Sequence, residues 1–335
     1  MKKYYAITIL IVLAALFAYH FYAADKAEQN IDTSIQEITS ELNPPLSVSY
    51  SSVEVGPFSG DVHFTDLNII RNQDIRRAQS VLFDFSYFDF LKISLFGAEY
   101  GLKRIESANI NFNRLSITNR ANLTEFKLNS LNAGYQGELW KLLRIGFHDS
   151  TASSEHTLIA EGSNFTISLP GFIGIINTDT LNISSVLKNK SGNESFSATA
   201  SLKKLSWNPT DSFKNQYRFF IQGFGYEPDS IPFQKAKLDF DYKSKTPILS
   251  INEMSLQSEL FTGILTGKLN INSDTLSATS FDSASLRFSD LAPPLQNVLS
   301  NAEKLFGIKI PMADSTISMG ISGTFLKPTI RMDNQ

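Results

Sequence analysis

A mainly β fold, built of antiparallel strands behind one membrane-spanning helix, follows from three features of this sequence. Residues Tyr4 to Ala23, YYAITILIVLAALFAYHFYA, form a nearly unbroken apolar run behind Lys2 and Lys3. From Leu46 onward, apolar and polar residues alternate with period two. Such alternation gives each strand one apolar face and one wetted face. Beyond that point helical patterns are few and short.

The apolar run has about 20 residues, the length a helix needs to cross roughly 30 Å of hydrocarbon. Tyr4, Tyr5, Tyr19 and Tyr22 sit at its two ends, where amphipathic rings prefer the headgroup level. Lys2 and Lys3 precede it, and Asp25 and Glu28 follow it. The positive-inside bias then puts the N-terminus in the cytoplasm and residues 24–335 across the membrane. The rival reading is a cleaved signal peptide. Against it, the run exceeds a usual signal core, and Tyr22-Ala23-Ala24 puts a bulky residue where a small one should stand.

Residues 25–45 read as a juxtamembrane helix and linker. Ile31, Ile35, Ile38 and Leu42 recur at helical spacing, and Asn43 with Pro44-Pro45 ends the element. The strands follow. Val81, Phe83 and Phe85 alternate with Ser80, Asp84 and Ser86, and Ala108, Ile110 and Phe112 alternate with asparagines. Phe165 and Ile167, Phe196 to Leu202, Leu238 and Phe240, Leu265 to Ile271, and Ile317 to Ile321 repeat the pattern. One strand slips phase: Val62 and Phe64 share a face, but the next apolar pair is Leu67 and Ile69. That predicts a bulge or bend near Thr65-Asp66.

Short helices are expected at Phe90–Phe96, at Leu139–Ile145 and, most clearly, at Leu295–Phe306, with Pro293-Pro294 before it and Gly307 after it. A strand followed by FLKISLF is echoed by a strand followed by LWKLLRI, a loose internal repeat. The count is roughly 15 to 18 strands against three short helices. So few helices cannot cover so many one-sided strands. The sheet must pack on itself, close as a barrel, or curl into a trough whose apolar surface receives an apolar ligand.

Composition narrows the function. The chain has no cysteine, which excludes disulfides, thiolate metal sites and a cysteine nucleophile. An exported, disulfide-free chain fits a bacterial periplasm. Net charge is −3 and no run of Lys or Arg exceeds a pair, so the footprint of a nucleic-acid binder is missing. No catalytic, metal or cofactor constellation stands out. His148-Asp149 and Glu155-His156 lie in a polar stretch read as a solvated loop, without metal-ligand spacing. Gly223-Phe224-Gly225-Tyr226 reads as a bend between strands, and Asp239 and Asp241 as the wetted face of one strand. The 26 phenylalanines are the unusual component; most are expected in the core, and a long apolar trough would use the same residues.

The order of motifs carries a resemblance. An N-terminal anchor is followed by VSYSSVEVGPFSGDVHFTDLNI, by a strand with Ala78-Gln79-Ser80-Val81, by a FLKI-type helix and by IESANINFNRLSI. This resembles the N-terminal module of AsmA-like envelope proteins, with Gly60, Asp66-Leu67, Ala78 and Ile105 at its pattern positions. The ending, Ile317 to Phe325 with Pro328, is similar to that of AsmA-like and GspN-like proteins. The two stretches cover about a third of the chain; the middle matches in texture only.

The resemblance implies an inner-membrane-anchored, single-pass protein with its bulk in the periplasm. The fold it implies is an elongated, curled antiparallel sheet, a β-groove. Sixteen strands at about 4.8 Å each would make a trough on the order of 75 Å long. The implied division is an anchor at 1–24, a juxtamembrane helix and linker at 25–45, an AsmA-like β module at 46–146, and a C-terminal β-rich region at 147–335. The function it implies is binding or passing membrane phospholipid along the apolar face, in support of envelope homeostasis, without catalysis. Lipid-contact candidates are Val81, Phe83, Phe85, Ile110, Phe112, Phe165, Ile167, Leu238 and Phe240. The alternative is a structural part of an envelope machine resembling the GspN protein of type II secretion, with other envelope proteins as partners. A hydrolase on a β scaffold is the third reading, and it lacks a visible nucleophile–base pair.

Overall fold

A computed structural model describes residues 2–41, 46–56, 58–96, 105–138, 154–170, 174–190, 193–271, 279–307, 310–324 and 327–332. Helix α1 (Lys2–Glu41) is followed by β1 (Ser47–Ser49), β2 (Ser52–Val55), β3 (Asp61–Arg71), β4 (Asp74–Asp84), α2 (Tyr87–Phe96), β5 (Ser107–Asn119) and β6 (Thr124–Gln136). Then come β7 (Ser154–Leu169), β8 (Gly174–Lys190), β9 (Asn193–Pro209), α3 (Asp211–Gly223), β10 (Ile231–Lys243), β11 (Ile248–Gln257) and β12 (Thr262–Asn270). The chain ends with β13 (Ser280–Ser289), α4 (Pro293–Phe306), β14 (Ile317–Thr324) and β15 (Lys327–Met332). The fold is mainly β: the fifteen strands belong to one antiparallel sheet that does not close. The chain divides into two compact units, Met1–Ala121 with Leu128–His156, and Asn122–Lys127 with Thr157–Gln335.

In the N-terminal unit the strand order is β1-β3-β4-β5-β6, with β2 also on β3. The expected anchor and juxtamembrane helix run on as one helix, α1. Among the described residues no helix is long and apolar enough to cross a membrane. Helix α1 packs on β2 and α2, and its Ala23, Ala24 and Ala27 are buried. Alanine keeps the helix tight and lets a strand approach closely. Two polar ties hold this contact. The Val55 amide donates to Glu28 Oε1 at 2.8 Å, and the Tyr50 hydroxyl donates to Asp32. Burial, followed by that carboxylate, pushes the Tyr50 phenol up to about 12. Ser86 caps the start of helix α2: its Oγ accepts from the Asp89 amide at 3.2 Å and donates to the Asp89 carboxylate at 2.6 Å.

The expected bend near Thr65-Asp66 extends across neighbouring strands. Asp66 has φ 52°, in the left-handed region that Asn and Asp tolerate best. Register is nevertheless unbroken: Thr65 pairs with Ser80 and Leu67 with Ala78. Asp66 therefore lies opposite Gln79, and Gln79 lies opposite Arg114, itself at φ 51°. All three are exposed. On both sides of this row the apolar set shifts by one: Val62 and Phe64 give way to Leu67 and Ile69, and Ile110 and Phe112 to Leu115 and Ile117. A one-residue slip would send the second apolar set to the wrong face. Taking the extra residue at the same row keeps pairing and apolar face together.

The second unit repeats the device. Lys204 of β9 has φ 52° and lies opposite Asp179 of β8 and Gln234 of β10. Leu202 gives way to Leu205, Thr178 to Leu181, and Phe233 to Ala236 across this row. Here the order runs β7 to β15 in sequence. Two helices stand out. At α4 the prolines occupy the first turn, where a missing amide costs nothing, and Gly307 at φ 64° ends the helix, as expected. The expectation of a bend between strands at Gly223–Tyr226 changes in kind: Gly223 closes α3, a helix that sequence reading missed, and Phe224–Tyr226 turn from it towards β10. Thr210 caps α3, its Oγ1 accepting from the Phe213 amide at 3.4 Å. The helix expected at Leu139–Ile145 lies outside the described residues.

Candidate functional site

One apolar face in each unit carries the lipid-contact candidates. In the N-terminal unit, Val81 and Phe83 lie on β4 and pair directly with Phe112 and Ile110 of β5. Phe85 follows β4. Directly opposed side chains in a sheet interact closely, so the four β residues share one patch. An aromatic file crosses it: Tyr50 to Phe64 at 5.3 Å, Phe64 to Phe83 at 5.9 Å, and Phe83 to Phe85 at 6.1 Å, the last pair stacked. Val81 and Phe85 are buried, while Phe83, Ile110 and Phe112 keep part of their surface exposed.

In the second unit, Phe165 and Ile167 lie on β7, with Phe165 buried and Ile167 partly exposed. Leu238 and Phe240 lie on β10. Leu238 faces Ala200 on one side and Met254 on the other, and Phe240 faces Ala198 and Ile251. The Phe240 ring meets Phe196 at 5.7 Å. Beyond β12, the face runs under α4. There Phe261, Phe288, Leu295, Leu299, Ile317 and Met319 help enclose a wholly apolar hollow of about 300 Å³. Sequence reasoning did not single out this hollow, although the Leu295–Phe306 stripe names the helix that roofs it.

The opposite face is a polar ladder. Asn252 Nδ2 donates to Asp239 at 3.0 Å and to Asp241 at 2.8 Å, and Ser197 Oγ donates to Asp241 at 2.5 Å. Lys237 bridges to Glu253 at 2.6 Å. Hydrogen bonds from Ser197 and Asn252 hold the Asp241 carboxyl below its ordinary range, and those from Lys237 and Ser255 do the same for Glu253. Asp239 and Asp241 are thus spent on cross-strand bonds, in the structural role their spacing predicts.

His156 is the residue that sequence misplaced. The stretch read as a solvated loop puts it in β7 at 4% exposure. Its Nδ1 lies 2.7 Å from the Tyr135 hydroxyl, its Nε2 lies 2.8 Å from Ser154 Oγ, and its ring stacks on Tyr135. Gly137, at φ 136°, makes room: a Cβ there would come within 2.7 Å of His156 Nδ1. Burial raises the Tyr135 phenol far above its ordinary range, so it stays a neutral hydroxyl. Ser154 and His156 thus come within the reach of a nucleophile and a base. Yet the imidazole is shut in a strand with both nitrogens engaged, the arrangement by which a buried polar group is satisfied. His148 lies outside the described residues.

No family model, no curated protein and no solved structure matches this chain.

Proposed function

We propose that this chain is a membrane-anchored protein that binds lipid on the apolar face of a curled β-sheet and passes it along that face, without catalysis. One observation carries the reading. Each unit has its own apolar face on which large side chains stay partly exposed: Phe83, Ile110 and Phe112 in the first, Ile167, Leu238 and Phe240 in the second. Among the described residues no second sheet covers them, and the helices after α1 are three and short. An acyl chain gains about 0.8 kcal/mol per buried methylene, so such a face holds lipid without any particular polar partner.

The anchor has its own support. Leu13, Leu16, Phe17, Phe21 and Tyr22 are each at least 50% exposed. All of Leu13 to Tyr19 are exposed, and at about 100° per residue they point to every side of α1. Apolar side chains exposed all round a helix suit hydrocarbon rather than water or a one-sided partner. The lysines before the run and the acids after it favour an inner-membrane protein with its bulk in the periplasm, as the AsmA-like resemblance implies. Outer-membrane and envelope homeostasis is then the process served.

The test is native mass spectrometry of the whole chain released from detergent, with lipid extraction. We expect stoichiometric phospholipid that survives stripping of the lipid around the anchor. A lipid-free protein with a dry, closed core refutes the reading.

A second reading, a structural part of an envelope machine of GspN-like type, draws on β15. All six of its residues are exposed, and among the described residues it pairs with β14 alone. A free strand edge is a template for another chain. Copurification of a stable protein partner that leaves with deletion of 327–335 supports this reading; a solitary lipid-loaded protein argues against it.

A further inference from the structure

Three phenylalanines beside α1 stand out against the usual burial of aromatic rings. Phe58, in the turn from β2 to β3, is 49% exposed; Phe88 and Phe96, on α2, are 73% and 63% exposed. Phe58 does not hang free. Its ring lies 5.2 Å from Phe17, 5.1 Å from His20 and 5.9 Å from Phe21, all on α1. The turn therefore sits level with the last turns of the apolar run. Helix α2 packs on α1 as well. Phe88, Lys92 and Phe96 fall at i, i+4 and i+8, on one stripe of α2. The lysine is tied to Asp89 at 2.6 Å. Aromatic rings flanking a lysine on one helical stripe are the composition of a segment lying at a membrane surface, with the rings in the acyl boundary and the ammonium at headgroup level.

We propose that the β2–β3 turn and α2 form a membrane-contacting apron around α1, with Phe58, Phe88 and Phe96 inserted at the lipid interface. The occupant follows from continuity: these rings extend an apolar surface that α1 already presents on every side. The apron would hold the N-terminal unit against the bilayer at more than one point and so fix its orientation. It would also place the end of the sheet where β3 begins and β4 ends, Asp61 opposite Asp84, at the membrane. Phe83 and Phe85 lie at that end. The inference rests on the membrane-anchor reading above.

Because the chain has no cysteine, single-cysteine variants label cleanly. Phe17→Cys, Phe58→Cys, Phe88→Cys, Phe96→Cys and, on the wetted face, Asn113→Cys are labelled with an environment-sensitive fluorophore. Each whole chain is then reconstituted in vesicles of phosphatidylcholine and phosphatidylglycerol. We expect labels at 17, 58, 88 and 96 to be quenched by brominated acyl chains and shielded from aqueous iodide, and the label at 113 to show the reverse. Iodide quenching at 58, or at both 88 and 96, with 17 still in lipid, overturns the apron and leaves the anchor standing. Iodide quenching at 17 as well brings down the anchor with it. Phe58→Trp and Phe88→Trp keep an aromatic ring and repeat the bromine reading if a cysteine variant fails to fold.

Discussion

Replacing Phe165 and Phe240 by alanine, one at a time, separates an uncovered apolar face from a closed core. Both rings belong to the second unit and both are lipid-contact candidates. Phe165 is 8% exposed. Phe240 lies between Ala198 and Ile251 and keeps part of its surface open. In a closed core, Phe→Ala costs roughly 3–5 kcal/mol, because a cavity adds to the lost transfer energy. We expect about 4 kcal/mol at Phe165 on that ground. At Phe240 the vacated space joins the uncovered face, and solvent or lipid fills it. Only the transfer part remains, about 2 kcal/mol within the usual range for one large side chain. Urea unfolding followed by the fluorescence of Trp207, on neighbouring β9, measures both. Bound phospholipid per chain should fall more with Phe240→Ala than with Phe165→Ala, the reverse of the stability order. Equal losses of stability near 4 kcal/mol would mean that Phe240 sits under cover, and the open-face argument would fail.

Three further outcomes follow from local geometry. Gly267→Ala should destabilise the second unit by about 2–4 kcal/mol in the same assay, since φ is 152° and a Cβ would lie 2.4 Å from the Ser283 carbonyl oxygen. Tyr50→Phe should cost about 1 kcal/mol by removing one donor from Asp32, and hydrogen exchange of α1 amides near residue 32 should quicken. Asp241 and Glu253 titrate below their ordinary values of 3.8 and 4.5. Their ionised, paired forms therefore add stability that is full above those values and lost as pH falls through the lower folded ones. The stability gap between the native chain and an Asp241→Asn, Glu253→Gln variant should accordingly be widest at neutral pH and narrow toward pH 3.

Much of the fold was legible because a strand with one wetted face must alternate. Val81 to Phe85, Ile110 to Phe112 and Leu238 to Phe240 all lie where that alternation predicts. The slip at Thr65-Asp66 was legible too, but only within its own strand. That Gln79 and Arg114 share its row is a property of register, which sequence alone does not carry. Helix α3 was missed although Phe213, Tyr217 and Ile221 recur at helical spacing; Phe219, Phe220 and Phe224 fill the gaps and mask the period. His156 was hidden by its neighbours, since Ser153, Ser154 and Glu155 read as loop while Tyr135, the partner that buries it, lies 21 residues away. The hollow under α4 joins Phe261, just before β12, to residues of β13, β14 and β15, a convergence that no local pattern announces.

Lipid contact at the apolar face is tested most directly by site-specific photocrosslinking in cells with radiolabelled phospholipid. A benzophenone amino acid is placed at Phe112 and Phe240, and, one residue away on the wetted face, at Asn113 and Asp241. We expect lipid adducts at Phe112 and Phe240 and none at Asn113 and Asp241. Equal labelling of both faces, or no adduct at Phe112 and Phe240, would contradict lipid contact at the apolar face.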